Sequence, residues 1–121
     1  MRIGMTGAVL LTSIASAAAA PAPPARVPPA DIQKNFFTGQ AFTASTPSNV
    51  QYKMVFTADG KVTRDPVGKA GVKGDGTWKL DKDGFCTTWK GSKPNCFVLL
   101  TSGENKWSVM KGSTVIAVWT K

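Results

Sequence analysis

Two cysteines, at positions 86 and 96, are the residues of this chain best suited to undergo chemistry. A turn centred on Gly91 would set Cys86 directly opposite Cys96 on neighbouring antiparallel strands, where the two side chains can bond. A disulfide that closes residues 86–96 would stabilise the fold by roughly 2.5 to 3 kcal/mol, because it removes entropy from the unfolded chain. We therefore predict a structural disulfide between Cys86 and Cys96.

A cysteine pair could instead form a redox centre or a metal site. Redox pairs usually have the spacing C-x-x-C, and a metal site needs further ligands, whereas this chain has no histidine. The stretch "DKDG" at 81–84 resembles the start of a calcium loop. However, Phe85 occupies the fifth loop position, and Ser92 stands where the loop requires Glu. We predict that the protein binds no metal and no cofactor.

Catalytic residues are scarce in this sequence. It has seven acidic residues and no histidine, which excludes serine catalysis by a histidine base. Most of the acidic residues fall in predicted turns, with no base or nucleophile nearby in the sequence. The composition therefore predicts a protein that is not an enzyme, and a carboxylate pair assembled by the fold is the remaining alternative.

The chain is basic, with a formal net charge of +8. Such a charge attracts anionic material, which for an exported protein includes phospholipid, lipopolysaccharide and cell-wall polymer. Dispersed lysines can instead serve solubility and protect strand edges. The absence of a base-stacking motif argues against a nucleic-acid partner. The candidate anionic-surface site comprises the lysines of two predicted loops: Lys69, Lys73, Lys90 and Lys93.

The first 30 residues predict export. Residues 1–17 have a basic start, a short apolar run and an A-x-A cleavage pattern, as in a secretory signal peptide, with Ala19 as the alternative cleavage position. The apolar run is too short to span a bilayer, no later segment is a candidate, and no cysteine precedes Cys86 that could carry a lipid. The Ala/Pro-rich residues 18–30 predict an extended spacer. A single domain over 31–121 should therefore fold in the periplasm or outside the cell, where a disulfide persists.

The hydrophobic pattern changes from a helical period to a strand period near residue 40. The stretch "DIQKNFFTG" predicts a short helix that starts at Asp31 and is followed by a left-handed Gly39. In the stretch "VQYKMVFT", apolar and polar residues alternate as in a strand with one buried face. The recurring turn signals predict a mainly β fold, an antiparallel meander of about seven or eight short strands in a small barrel or half-barrel. The strands are predicted at 41–45, 50–57, 61–65, 76–80, 84–89, 96–101, 106–110 and 114–120.

Strands of this length leave little room inside a barrel. We therefore expect side chains to fill the interior, with Trp78, Val98 and Leu100 in the core. Trp89 is predicted to be a further packing residue. The glycine-rich segment 66–76 has no strand pattern and is predicted to be a mobile loop.

Several short motifs occur in a set order between residues 31 and 100. They are a short helix before glycine, a strand before Asp-Gly, then Gly-x-Trp, Cys-x-x-Trp, and a second cysteine beside an aromatic residue. In this order they resemble a family of small secreted proteobacterial proteins classed as a domain of unknown function. The resemblance implies a periplasmic or exported β-rich fold, loosely lipocalin-like, and it supplies no activity. The matching residues are Gly39, Asp59, Gly60, Gly76, Trp78, Cys86, Trp89, Cys96 and Phe97.

Three functions are compatible with these expectations. The leading one is a non-enzymatic binding or interaction module of the cell envelope, with an anionic envelope component or an envelope protein as its partner. The second is a lipocalin-like carrier of a small apolar ligand, which a filled interior would disfavour. The third is an inhibitor of a cell-wall hydrolase, although a basic hydrolase such as lysozyme would repel this basic chain. The sequence leaves the partner's identity and the oligomeric state open.

Overall fold

The computed structural model describes residues 23–121, which form one α-helix and eight β-strands. The predicted fold class is confirmed, and every strand begins and ends within two residues of its predicted bounds. The predicted signal peptide over 1–17 and the beginning of the predicted spacer lie outside the described residues. The elements are α1 (Pro29–Phe36), β1 (Phe42–Ser45), β2 (Gln51–Phe56), β3 (Lys61–Pro66), β4 (Gly74–Leu80), β5 (Phe85–Trp89), β6 (Asn95–Thr101), β7 (Lys106–Lys111) and β8 (Thr114–Thr120).

The strands form a closed, antiparallel, up-and-down barrel. Each strand pairs with the next one along the chain, and β8 returns to pair with β1, so the sheet has no free edge strand. Two ladders are short, with three residue pairs each: β1–β8, over Thr43 to Ser45, and β5–β6, over Phe85 to Thr87. The glycine-rich loop is shorter than predicted, because β3 extends to Pro66 and β4 begins at Gly74.

Alternation along each strand decides which side chains enter the barrel. In β2, Met54 and Phe56 are buried, Val55 between them is half-buried and Lys53 before them is exposed, which agrees with the predicted alternation. In β6 the predicted phase is wrong, since Leu99 is fully buried and Val98 and Leu100 are only half-buried. Four consecutive apolar residues carry no alternation, and the pattern of this strand therefore could not indicate its inward face.

Helix α1 closes one end of the barrel. It begins at Pro29, two residues before the predicted start, because the fixed φ of proline suits the first helical turn. The aromatic rings of Phe36, at its end, and of Phe37 are buried inside the barrel. Gly39 has the predicted left-handed conformation, with φ of 86°, and its N–H donates to the Phe56 carbonyl at 2.8 Å. The helix within residues 23–121 has neither the length nor the apolarity that crossing a bilayer requires.

The chain meets the barrel wall before the helix starts. The N–H of Thr101 donates to the Ala25 carbonyl, and the N–H of Val27 donates to the Leu99 carbonyl, both at 2.8 Å. The ladder between β5 and β6 stops at Phe97 of β6. The backbone of β6 beyond Phe97 can therefore pair with residues 25–27 instead. Contact with the domain therefore begins within the segment predicted to be a spacer.

Candidate binding site

The up-and-down strand order gives the barrel two different ends. One end is covered by α1 and has the turns 57–60, 81–84 and 102–105, and it is termed the helix end. The opposite end has the loops 46–50, 67–73, 90–94 and 112–113, and it is termed the open end.

A cavity of about 240 Å³ lies inside the barrel toward the open end and is partly open to solvent. The expectation that side chains fill the whole interior is therefore wrong for this half of the molecule. Space remains because Ala44 and Ala117 line the cavity with small side chains. A concave, mostly apolar space with a few polar groups is the usual form of a small-molecule site. Larger side chains in its wall include Tyr52, Met54, Trp89, Phe97, Ile116 and Trp119.

An irregularity in β8 shapes one wall of this cavity. The register between β7 and β8 shifts between Val109 and Met110, so Val109 pairs with Ala117 and Met110 pairs with Val115. The intervening Ile116 is the extra residue of a β-bulge. As a result two consecutive residues, Ile116 and Ala117, both line the cavity.

Among residues 23–121, Arg64 is the one charged residue that lines the cavity. The sequence places it on β3 one alternation away from Val62, which is fully buried, so its side chain shares the inward phase of that strand. Its guanidinium carbon lies 4.6 Å from the ring centre of Trp89 and 5.4 Å from that of Tyr52. Its Nε is buried and has no hydrogen-bond partner within residues 23–121.

Gly74 makes room for this arrangement. It is the β4 partner of Arg64, and a Cβ built on it would lie 2.9 Å from the Arg64 Nε and 3.3 Å from the Trp89 ring. Any larger residue at position 74 would therefore displace the guanidinium from its place beside the indole ring. Nothing in our sequence analysis singled out Arg64. The signal that could have identified Arg64 is that it is a basic residue in the inward-facing phase of β3 and that it pairs with a glycine on β4.

The loop 67–73 lies against the cavity wall at the open end. A Cβ on Gly71 would lie 2.8 Å from the Tyr52 ring, and the Val72 N–H donates to the Tyr52 hydroxyl at 3.4 Å. Val67 and Val72 themselves are exposed. The loop thus combines backbone contact with Tyr52 and side chains that face solvent.

The candidate lysines all belong to the open end. Lys69 and Lys73 lie in the loop 67–73, and Lys90 and Lys93 lie in the loop 90–94, so the topology places both loops on one side of the molecule. Lys73 forms an exposed ion pair with Asp65, at 3.7 Å.

The acidic residues are distributed unequally between the two ends. Taking each end as its loops and the last three residues of the adjoining strands, the open end has seven basic and two acidic residues, a net charge of +5. The helix end, which includes the chain before β1 and after β8, has seven basic and five acidic residues, a net charge of +2. The open end is therefore the more electropositive one. Its basic residues are Lys53, Arg64, Lys69, Lys73, Lys90, Lys93 and Lys111, and its acidic residues are Asp65 and Asp75.

The predicted disulfide is present. Cys86 and Cys96 pair across β5 and β6 in the predicted register, with their Cα atoms 3.9 Å apart. The bond reinforces one of the two shortest ladders of the barrel. An Asp81 carboxylate oxygen lies within 4.8 Å of both sulfur atoms. Because the sulfurs are bonded to each other, they are not available as thiolate ligands to a metal.

One carboxylate has a perturbed ionisation, and it lies at the helix end. The Thr57 hydroxyl donates a hydrogen bond to Asp59, and this bond, together with the charge of Lys61, holds the pKa of Asp59 below its ordinary value of 3.8. A general acid at neutral pH requires a raised pKa. The lowered pKa of Asp59 does not suit a general acid. Asp59 also lies in a turn at the helix end, remote from the cavity.

Comparisons of this chain with protein-family models, curated proteins and solved structures find no match. The resemblance to a family of small secreted proteobacterial proteins stays a prediction. The function of the protein must therefore be inferred from the geometry of the barrel.

Proposed function

We propose that this protein is an exported, non-enzymatic binding protein of the cell envelope whose barrel takes up a small, largely apolar ligand at its open end. The observation that carries this proposal is the cavity of about 240 Å³ in the barrel interior. Burial of a ligand against aromatic and aliphatic walls supplies the affinity, because the apolar area removed from water contributes about 25 cal/mol per Å². The cavity also favours the carrier hypothesis over a barrel used only through its outer surface.

Export is supported by the pattern of residues 1–17 and by a disulfide, which is typical of oxidising compartments. We expect intact mass measurement of the exported protein to show a chain that starts after Ala17 or Ala19. A mature protein that retains Met1 would contradict this part of the proposal.

The ligand site is tested with a neutral fluorescent probe, 1-aminoanthracene, whose emission rises in an apolar environment. We expect the wild-type protein to bind it, and we expect Ala117→Leu to weaken binding several-fold by occupying part of the cavity. The matched control is Ala58→Leu, in an exposed turn at the helix end, which should leave the probe's Kd unchanged. Failure of the folded wild-type protein to bind the probe would refute the proposal.

A second function is favoured by a separate observation, the gathering of the four candidate lysines at the open end. A net charge of +5 at that end favours adhesion to an anionic envelope surface. The two functions are compatible, because a barrel that rests on such a surface by its open end would place its cavity beside it.

A further inference from the structure

We propose that Arg64 is the anion-binding residue of the cavity, and that the ligand is a small amphiphile with a carboxylate or a similar acidic group on an apolar body. The proposal rests on the proposed function, since it names the ligand class of the same cavity.

The guanidinium has unused donors. Arginine has five N–H donors in a fixed plane, and the buried Nε of Arg64 has no partner within residues 23–121. Neither of the two ion pairs found among these residues includes Arg64: they join Arg26 to Asp83 and Lys73 to Asp65. The Nε lies against Gly74 and is covered by protein atoms, so a ligand would be bound by the terminal Nη groups. A half-buried charge without an ionic partner is costly to a fold, and an anion in the cavity would supply that partner.

The surroundings hold the charge in place without consuming its donors. The aromatic faces of Trp89 and Tyr52 interact with the cation through their π electrons, at 4.6 and 5.4 Å. Aromatic rings accept no conventional hydrogen bond along the guanidinium edge, so the edge formed by the two terminal Nη groups stays available for the two parallel bonds that a carboxylate accepts. Gly74 leaves this site free of a competing side chain.

The rest of the cavity selects an apolar body. Met54, Phe97 and Ile116 line it, and none of the acidic residues between positions 23 and 121 does. Its volume of about 240 Å³ suits one short chain or a small ring system and is too small for the two acyl chains of a phospholipid. The ligand is therefore a free amphiphile that enters the barrel. The positive charge of the open end would raise the local concentration of such an anion.

The test uses two probes of equal chain length, octanoate and octan-1-ol, each displacing 1-aminoanthracene from the wild-type protein and from Arg64→Met. The methionine keeps an unbranched apolar side chain and removes the charge. We expect the wild type to bind octanoate more tightly than octan-1-ol, and Arg64→Met to lose roughly 10-fold or more of its octanoate affinity while it still binds octan-1-ol. Arg64→Lys should retain part of the preference.

Lys53→Met is the matched control, because it removes one positive charge from an exposed position on the adjacent strand. It should keep the octanoate preference of the wild type. The proposal is overturned if the wild type binds both probes equally, if Arg64→Met keeps the preference, or if Lys53→Met loses it to the same extent. It is also overturned if Arg64→Met abolishes binding to anionic phospholipid vesicles without affecting octanoate, since the anion would then be a lipid headgroup. If the wild-type protein binds none of the three compounds, 1-aminoanthracene, octan-1-ol and octanoate, the proposed function itself is refuted.

Discussion

The two ends of this barrel are built from the same eight strands, yet they differ in what fills them. At the helix end, Phe36 packs edge-on against Phe42 and Trp107, with ring centres 5.2 and 4.9 Å apart. At the open end, Ala44 and Ala117 leave a cavity. The sheet is closed around both ends, so the difference between a core and a site comes from the side chains that fill each end and from the bulge at Ile116.

Because of this difference, the residues that contribute most to stability and the residues of the candidate binding site lie at opposite ends of the barrel. The rings of Phe36 and Phe37 are 1% and 2% exposed and are surrounded by other aromatic rings. Arg64 lies over the rings of Trp89 and Tyr52, and its Nε has no hydrogen-bond partner within residues 23–121. Substitutions at the two ends of the barrel test this separation.

We expect Phe37→Ala to lower the free energy of unfolding by about 3 to 5 kcal/mol, because it opens a cavity in the packed helix end. Phe37 is stacked on Phe56 at 4.3 Å and lies 4.4 Å from Trp78. The matched substitution at the open end is Phe97→Ala, and it should cost less because Phe97 is half-buried at a cavity that already exists. Urea unfolding followed by fluorescence measures both.

Equal costs for the two substitutions would contradict the division between the ends. If Phe37→Ala does not fold, Phe37→Leu, which retains much of the buried volume, provides the comparison at the helix end.

Replacing both cysteines with serine should lower the free energy of unfolding by about 2 to 4 kcal/mol. The disulfide joins β5 to β6, where only three residue pairs hold the ladder together. Trp89 is on β5 and Phe97 is on β6, so loss of the bond should also weaken probe binding at the cavity. A thiol assay on the native wild-type protein should detect no free thiol. An unchanged urea midpoint after complete reduction would contradict the prediction.

The smallest effect on stability is expected from replacing Lys69, Lys73, Lys90 and Lys93 together with glutamine. These exposed residues should each change the free energy of unfolding by less than about 0.5 kcal/mol. Binding to anionic vesicles should nevertheless fall, and wild-type binding should weaken between low and physiological salt, where charges are screened over about 8 Å. Neutral vesicles should bind little.

The control for this variant replaces four lysines of the helix end, which changes the net charge equally. Equal losses from both quadruple variants would mean that total charge, and not the open end, governs adhesion. A wild type that ignores anionic vesicles at low salt would remove the second function and leave the lysines a solubility role. The control lysines are Lys34, Lys61, Lys82 and Lys106.

Sequence patterns predicted the barrel well, because its local rules are strong. Alternation in β2 and turn signals between strands located all eight strands, and a turn at Gly91 was sufficient to set Cys86 opposite Cys96. Gly91 has the positive φ, 81°, that such a turn favours.

The candidate site was predicted only in part. The lysine loops at the open end were identified from the sequence. The cavity was not, because it exists only where the side chains fail to fill the barrel, and no local sequence pattern indicates how much of the interior they fill. Residues 25–27 pair with β6 through isolated backbone bonds, which leave no periodicity in a proline-rich segment. In β6, apolar residues on both faces concealed the inward position of Leu99.

The pairing of residues 25–27 with β6 also determines the orientation in which the protein can be attached to anything. Ala25 is bonded to Thr101, the last residue of β6, and the chain therefore enters the domain beside the helix end. A tag, fluorophore or surface linker joined ahead of residue 23 would hold the barrel from that side. Its cavity and lysine loops would then face outward, which makes immobilisation through the N-terminus the natural geometry for measuring ligand capture.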